Sequence, residues 1–347
     1  MEAGSGRRTA SSRQRIAKRP GLVGLSYWLL AISYLLTPGL ALAEDTDLSS
    51  MKKRRQQGIL TGMPFMANLA PRTFVDDAGR KVYFAKAPVR VVSLAPSITE
   101  ILFAIGSSEQ IVGVTESCDY PEEAKRKPKV GYTSPNLESI LVLRPDLVMA
   151  PRAFLRADLL GKLEHLKVPT FIVDPQSFED IPIRIQTIGR ILDRSALADA
   201  LAMAMRDRLT WVRSKTESLA RVRVLYVLNS EPLITVGPGS FIHQALGFAG
   251  GSNVAGNTVV PYPHLNMESV LKEDPEIIVF PVGKAEGIPL GEQDAWQRWT
   301  TLSAIKHGRV RQIPSDLLNR PGPRIIEGLE RLARIIHPEA FETGTER

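Results

Sequence analysis

The feature that most constrains this chain is an internal duplication. "NLESILVLRPDLVMAP", beginning at Asn136, aligns without a gap on "NMESVLKEDPEIIVFP", beginning at Asn266, and pairs Asn136/Asn266, Glu138/Glu268, Ser139/Ser269, Leu141/Leu271, Pro145/Pro275 and Pro151/Pro281. Tyr132 and Tyr262 share the same offset of 130 residues. Seven identities in register imply two homologous units rather than one generic helix-to-strand turn met twice. At 347 residues the chain is also longer than a single core usually requires.

Strands alternate with helices from Arg72 onward. "RTFVDDAGRKVYF" predicts a hairpin turning at Asp77-Ala78-Gly79, and "VRVVSLA", "QIVGVT", "DLVMAP" and "TFIVD" predict buried parallel strands. The predicted class is α/β, with two similar lobes built on central parallel sheets. Between them, "SALADALAMAMRDRLTWVRSKTESLA" (195–220) places Leu197, Leu201, Met205, Leu209 and Val212 on one stripe. That spacing predicts one amphipathic helix, roughly 37 Å long at about 1.5 Å per residue, stiff enough to join the lobes. The organisation expected is 1–43 leader, 44–70 extension, 71–194 first lobe, 195–220 helix, 221–340 second lobe and 341–347 tail.

"RVVSLAPSITEILFAIG" (90–106) runs from strand to helix through Pro96 and Ser97. Ser97 and Glu100 have the spacing of a capping box, and Gly106 that of a helix stop. Amides at such a helix start, at the carboxyl edge of a strand, can receive a polar ligand group, although an ordinary connection has the same pattern.

The net charge of +7 suggests a nucleic-acid or membrane partner only until it is located. Residues 1–43 hold Arg7, Arg8, Arg13, Arg15, Lys18 and Arg19 against Glu2, a balance of +5, leaving +2 for the rest. Those cations precede "GLVGLSYWLLAISYLLTPGLALA", an uncharged run broken by Pro38 and Gly39 and ending Ala41-Leu42-Ala43. This is the layout of a cleaved secretory signal, so a periplasmic protein without a nucleic-acid partner is expected. Cys118 is the only cysteine, which excludes an internal disulfide or a thiolate cluster and suggests a small buried residue. The five histidines form no i, i+4 pair, and neither G-x-S-x-G nor a phosphate loop is present. No catalytic residue, metal ligand set or resident cofactor is assigned.

Taken in order, "RVVSLAPSITEILFAIG", "VGVTESCDYP", "PNLESILVLRPDLVMA" and "SDLLNRPGPRIIEGL" resemble the periplasmic substrate-binding proteins of ABC importers for cobalamin, ferric siderophores and haem, over about residues 72–338. The blocks are most similar to the cobalamin-binding branch. The resemblance implies a ligand cleft between the lobes, little motion about the stiff helix, and delivery by a monomer to a membrane permease with two-fold symmetric subunits. It implies that Tyr132 and Tyr262 flank a macrocycle, with Pro96, Ser97, Ser117, Leu317 and Arg320 as further cleft residues. Ser117 stands where that branch often has Tyr, and Leu317 where Trp is common. Packing at a helix entry accounts equally well for the two tyrosines, and a surface ion pair for Arg320. Glu138 and Glu268 favour the helix dipole as first-turn acids, whereas the resemblance makes them the acids that dock on the permease, one per lobe. His264 beside Tyr262 keeps haem open as the ligand, a ferric siderophore also fits, and an extracytoplasmic sensor or scaffold is the reading of another class.

Overall fold

A computed structural model of the protein describes residues 72–132, 135–155, 157–283, 287–289 and 291–342; the leader and basic extension expected before residue 71 lie outside them. The described chain opens on the expected hairpin, β1 (Arg72–Val75) antiparallel to β2 (Lys81–Phe84). Asp76 builds the turn by accepting the amides of Ala78 and Arg80, while Gly79 adopts a φ of 78°, which glycine tolerates without strain. The same carboxylate accepts the Ile172 amide at 3.2 Å and so fastens the hairpin to the first sheet.

That sheet contains β3 (Val91–Ser93), β4 (Ile111–Val114), β5 (Leu147–Ala150) and β6 (Thr170–Ile172), all parallel, in the order β4-β3-β5-β6. Every residue of β3, β5 and β6 is buried, as a sheet covered on both faces requires. Its helices are α1 (Pro96–Ala104), α2 (Leu137–Val142), α3 (Ala157–His165) and α4 (Asp180–Ile191). Then α5 (Ser195–Thr216) leads to a second sheet of β7 (Val222–Ser230), β8 (Leu233–Thr235), β9 (Gly251–Asn253), β10 (Ile277–Val282) and β11 (Val310–Pro314). Here β7 is central, parallel to β9 on one side and to β10 on the other, with β11 beyond β10 and β8 as an antiparallel hairpin arm. Its helices are α6 (Phe241–Phe248), α7 (Met267–Glu273), α8 (Ser303–Lys306), α9 (Ser315–Leu318) and α10 (Ile325–Ile336).

With β8 set aside, the two sheets share one plan, in which the first strand is flanked by the second and third and the fourth lies beyond the third. The duplication extends to atoms. Asn136 accepts the Ser139 amide at 2.8 Å and Asn266 the Ser269 amide at 2.8 Å, each capping its helix. After these helices Arg144 and Asp274, 130 positions apart, both adopt left-handed backbone, with φ of 46° and 42°. Arg90 donates Nε to the carbonyls of Leu143 and Arg144, and Arg223 donates Nε to those of Glu273 and Asp274, so a guanidinium closes the end of each helix.

The α5 helix has 22 residues, about 33 Å, and ends at Thr216, short of the 220 expected, where Thr216 Oγ1 bonds the Phe248 carbonyl at 2.7 Å. Its buried face also differs at the N-terminal end. Leu197 is exposed, and Ala198 and Ala202 are the buried residues ahead of Met205, Leu209 and Val212. The cause is close approach to α4, where Gly189 meets Ala198 and no larger side chain fits. Around α5 a single hydrophobic core runs through both lobes, from Val91, Ile98 and Ile185 to Tyr226, Leu329 and Ile336, while the outer face of each sheet has its own smaller core.

Gly189→Ala is expected to destabilise the protein by about 1–3 kcal/mol through overpacking against Ala198. Gly161→Ala in α3, with open space around its position, should instead be neutral or stabilising by up to about 1 kcal/mol. Denaturant unfolding of the two variants checks the contrast.

Candidate functional site at the junction of the lobes

Residues from both lobes converge at the carboxyl edge of the first sheet. In the order β4-β3-β5-β6 the crossovers after the neighbours β3 and β5 leave in opposite directions, the place where open α/β sheets form a crevice, and the loop after β4 lies on the other side of β3. Two segments emerge side by side, the start of α1 and the 115–121 loop. Pro96 occupies the first turn of α1, and its fixed φ suits that position. The N-cap is Ala95, with no side-chain cap, so the capping box expected of Ser97 and Glu100 does not form. The helix starts ahead of Ser97, which places Glu100 a full turn in, on the buried face. At the other end α1 stops as expected, with Gly106 at a φ of 73° and the Ser107 amide on the Leu102 carbonyl at 2.8 Å.

Glu100 is 3% exposed and meets two arginines of the second lobe, on the link between α9 and α10. Arg324 grips it in a fork, Nη2 to Oε1 at 2.7 Å and Nε to Oε2 at 2.9 Å, and Arg320 Nη1 reaches Oε1 at 3.3 Å. The cluster extends outward. Arg320 Nη1 lies 2.7 Å from Asp119, Arg324 Nη1 lies 2.7 Å from Asp316, and the Arg324 guanidinium stacks 3.9 Å from the centre of the Tyr120 ring. Burial pushes the Glu100 carboxyl above its usual range despite Arg324 and Arg320. Asp119 is also partly buried, but the Arg320 hydrogen bond and charge prevail and hold it below the usual aspartate range. Desolvation works against the Arg324 charge, yet Glu100 and Asp316 hold its pKa above the ordinary arginine value.

The 115–121 loop is held from beneath. Lys129 Nζ donates to the carbonyls of Cys118 and Ala124, each at 3.2 Å. Thr115 Oγ1 bonds Ser117 Oγ and Cys118 Sγ, and Thr99 Oγ1 donates to Ser93 Oγ at 2.8 Å. Cys118 is the small buried residue expected of it. These contacts present Asp119 and Tyr120 to the opposite lobe.

Of the residues singled out from sequence, Pro96, Ser97 and Arg320 come together at this junction. A side chain at Gly322 would meet the Ser97 backbone at 3.2 Å, so the lobes touch through main chain there. Arg320 is 4% exposed, which makes it a buried partner of Glu100 rather than a surface ion-pair residue. Ser117 is half-buried in the adjoining loop, and Leu317 is buried within the second lobe. Tyr132 and Tyr262 are exposed, at 48% and 58%, each on the loop that enters the Asn-capped helix of its own lobe. Val260 and His264 are exposed around Tyr262. Glu138 and Glu268 are exposed in the first turns of α2 and α7. Asp119, Tyr120 and Arg324 were not singled out, and Glu100 was read only as half of a capping box. Their motif blocks "CDYP" and "NRPGPR" were visible, but a pair 224 residues apart leaves no local signal. Among the described residues no group of three or more His, Cys, Asp or Glu could hold a metal ion.

Two parallel α/β lobes sharing a core along one helix, and meeting through a built ionic junction, define a two-lobed binding protein. The chain belongs to the periplasmic binding protein family, whose profile matches residues 91–317, and this is a family of non-catalytic binding proteins. A vitamin B12-binding protein of Vibrio parahaemolyticus is 35% identical over 248 residues, 71% of this chain and 88% of that one. A substrate-binding lipoprotein of an ABC transporter from Bacillus subtilis is 31% identical over 279 residues, 78% of this chain and 87% of its own. Among solved structures, a periplasmic heme-binding protein from Roseiflexus superposes with a TM-score of 0.65 at 26% identity, covering 72% of this chain and 98% of that one.

Replacing Glu100 by Ala leaves two buried guanidinium groups short of a carboxylate and should cost about 3–5 kcal/mol in denaturant unfolding. The Asp119–Arg320 pair has the opposite visibility to pH. Because the folded-state pKa of Asp119 is lowered, its contribution is complete above the ordinary aspartate value of about 4 and is lost as pH falls through the lowered value. Thermal unfolding followed from pH 6 downward should therefore fall less steeply for Asp119→Asn than for the parent protein.

Proposed function

We propose that the protein captures a corrinoid between its lobes and delivers it to the permease of an ABC importer. The observation that carries this reading is the pair Tyr132 and Tyr262, exposed at equivalent places of a duplicated fold whose lobes are otherwise tightly joined. Two exposed phenol rings at equivalent positions offer faces on which an apolar macrocycle can stack. The similarity to a vitamin B12-binding protein over most of both chains supports the same ligand class. Pro96, Ser97, Ser117 and Arg320 form the floor beneath it in this reading, with Leu317 packed behind. The protein works outside the cytoplasm as a monomer, after removal of its leader.

Haem is the second reading, favoured by the structural likeness to a heme-binding protein and by exposed His264 close in sequence to Tyr262. Titration calorimetry with cobalamin, cobinamide, haem and a ferric siderophore separates the ligands. Tyr132→Ala or Tyr262→Ala should weaken corrinoid binding by about 0.5–3 kcal/mol, the loss of aromatic stacking and apolar burial. Binding of haem or siderophore alone would replace the corrinoid and leave the importer role in place.

Docking is assigned to Glu138 and Glu268, the acids at matching positions on the two lobes, facing a permease of two-fold symmetry. If they served the helix dipole alone, each would contribute at most about 1 kcal/mol and transport would not need them. The double change Glu138→Arg, Glu268→Arg should leave ligand affinity unchanged and abolish association with the permease, because like charges then oppose each other. Pull-down on the reconstituted transporter is the measurement, and unimpaired association returns both residues to helix capping.

A further inference from the structure

We infer that the cleft selects a ligand by the charge of its rim: it takes macrocycles edged with neutral amides and discriminates against those edged with carboxylates. The inference rests on the cleft between the lobes being the ligand site, as proposed above, and names the chemistry that site accepts.

The argument starts from the two arginines at the junction, Arg320 and Arg324, the groups best suited to fork onto a ligand carboxylate. The protein has already matched each with an acid of its own, Arg320 with Asp119 and Arg324 with Asp316, both at 2.7 Å. Glu100 then bonds both of them from beneath. Arg324 spends Nε and Nη2 on Glu100 and Nη1 on Asp316, while the Tyr120 ring covers one face of the guanidinium. Two cations therefore meet three carboxyl groups, and the pairing is complete through the two aspartates even when Glu100 is protonated.

Exposure fixes the sign seen from outside. The side chains of Arg320 and Arg324 are 4% and 16% exposed, those of Asp119 and Asp316 47% and 35%. The cations are covered and the acids face solvent, with exposed Glu116 in the same loop as Asp119. An incoming carboxylate must displace an aspartate from its arginine for no net gain, or sit among acids of like charge. An amide meets the opposite situation, because its N–H groups can donate to the lone pairs that Asp119 and Asp316 keep free of their arginines. Corrinoids are edged with amides, whereas haem carries two carboxylates and ferric catecholates are anionic throughout.

A matched pair of corrins isolates charge from shape: dicyanocobinamide, edged with amides, and dicyanocobyrinic acid, which has carboxylates in their place. With the purified full chain, calorimetry should show the amide form binding at least about ten-fold more tightly, the scale of one unfavourable charge contact. The double variant Asp119→Asn, Asp316→Asn should shrink that ratio to about three-fold or less, since each arginine then has one acid fewer. Should thermal unfolding show the double variant unfolded, Asp316→Asn, whose pair does not cross the lobes, takes its place. Equal affinity for the two corrins, or a ratio that the variant leaves unchanged, overturns the inference while corrinoid binding stands. If neither corrin binds, the corrinoid reading falls, and haem against its diamide decides the charge rule alone. Preference for the diamide upholds the rule; preference for haem, equal affinity, or no binding of either overturns it.

Discussion

A buried carboxylate shared between two lobes is the constraint around which this molecule is arranged. Glu100 comes from α1, directly after the first strand of the first sheet, and its partners Arg320 and Arg324 come from the link between α9 and α10 in the second lobe. Removing such a group from water is unfavourable, as its raised pKa records, so the arrangement persists only with the arginines in place. The lobes are thereby fixed in register at the mouth of the cleft. A second clasp lies elsewhere, where the Phe178 ring packs between Phe241 and Phe248 and the Phe178 amide bonds Gln244 at 3.1 Å. Between the clasps, α5 carries one apolar core through both lobes. Hinge opening on a large scale would have to break all three, and a largely preformed cleft follows.

The duplication explains why such a junction can arise from local rules. Each half repeats a strand, a capped helix and a left-handed turn closed by an arginine, and each presents its carboxyl edge to the other. Symmetry of this kind gives the two lobes equivalent loops, and Tyr132 and Tyr262 are both exposed ahead of an Asn cap. The ionic cluster itself is not duplicated. It sets acids of the first lobe, Glu100 and Asp119, against bases of the second, Arg320 and Arg324, and charge asymmetry of this kind is what allows two similar halves to attract rather than repel.

Much of this was legible in the sequence, and the parts that were not share a physical cause. Alternating strand and helix patterns, Asn136, Asn266 and Gly106 act through neighbours a few residues away, and the structure has them as read. The Ser97–Glu100 spacing was read by the same local rule and misled, because Pro96 sits comfortably in a first turn and shifts the helix start ahead of Ser97. Freed from capping, Glu100 serves a partner more than 200 residues away. The stripe on α5 failed similarly at its start, where Leu197 outranks Ala198 in hydrophobicity but only alanine fits against Gly189. Size at a close helix contact decided burial there, and size is invisible to a pattern of polar and apolar letters.

Rigidity also bears on how a loaded protein could be told from an empty one. If the clasps keep the lobes nearly fixed, ligand cannot be reported by a wide closing motion, and a partner must read small shifts in the spacing of surface groups on the two lobes. Groups at equivalent positions of a duplicated fold are suited to that, since a symmetric partner touches both at once and any change in their separation is felt as a mismatch. Glu138 and Glu268 have those coordinates, exposed at the start of short helices whose Asn caps hold the backbone beneath them. The Ser139 and Ser269 amides are bonded identically by the Asn caps of the two lobes, so both helices start from the same local geometry. What remains free to vary is the relation between the lobes, which runs through Glu100 and its arginines. The two lobes meet there through Glu100, Arg320 and Arg324, so any change in their relation has to be accommodated by that ionic junction.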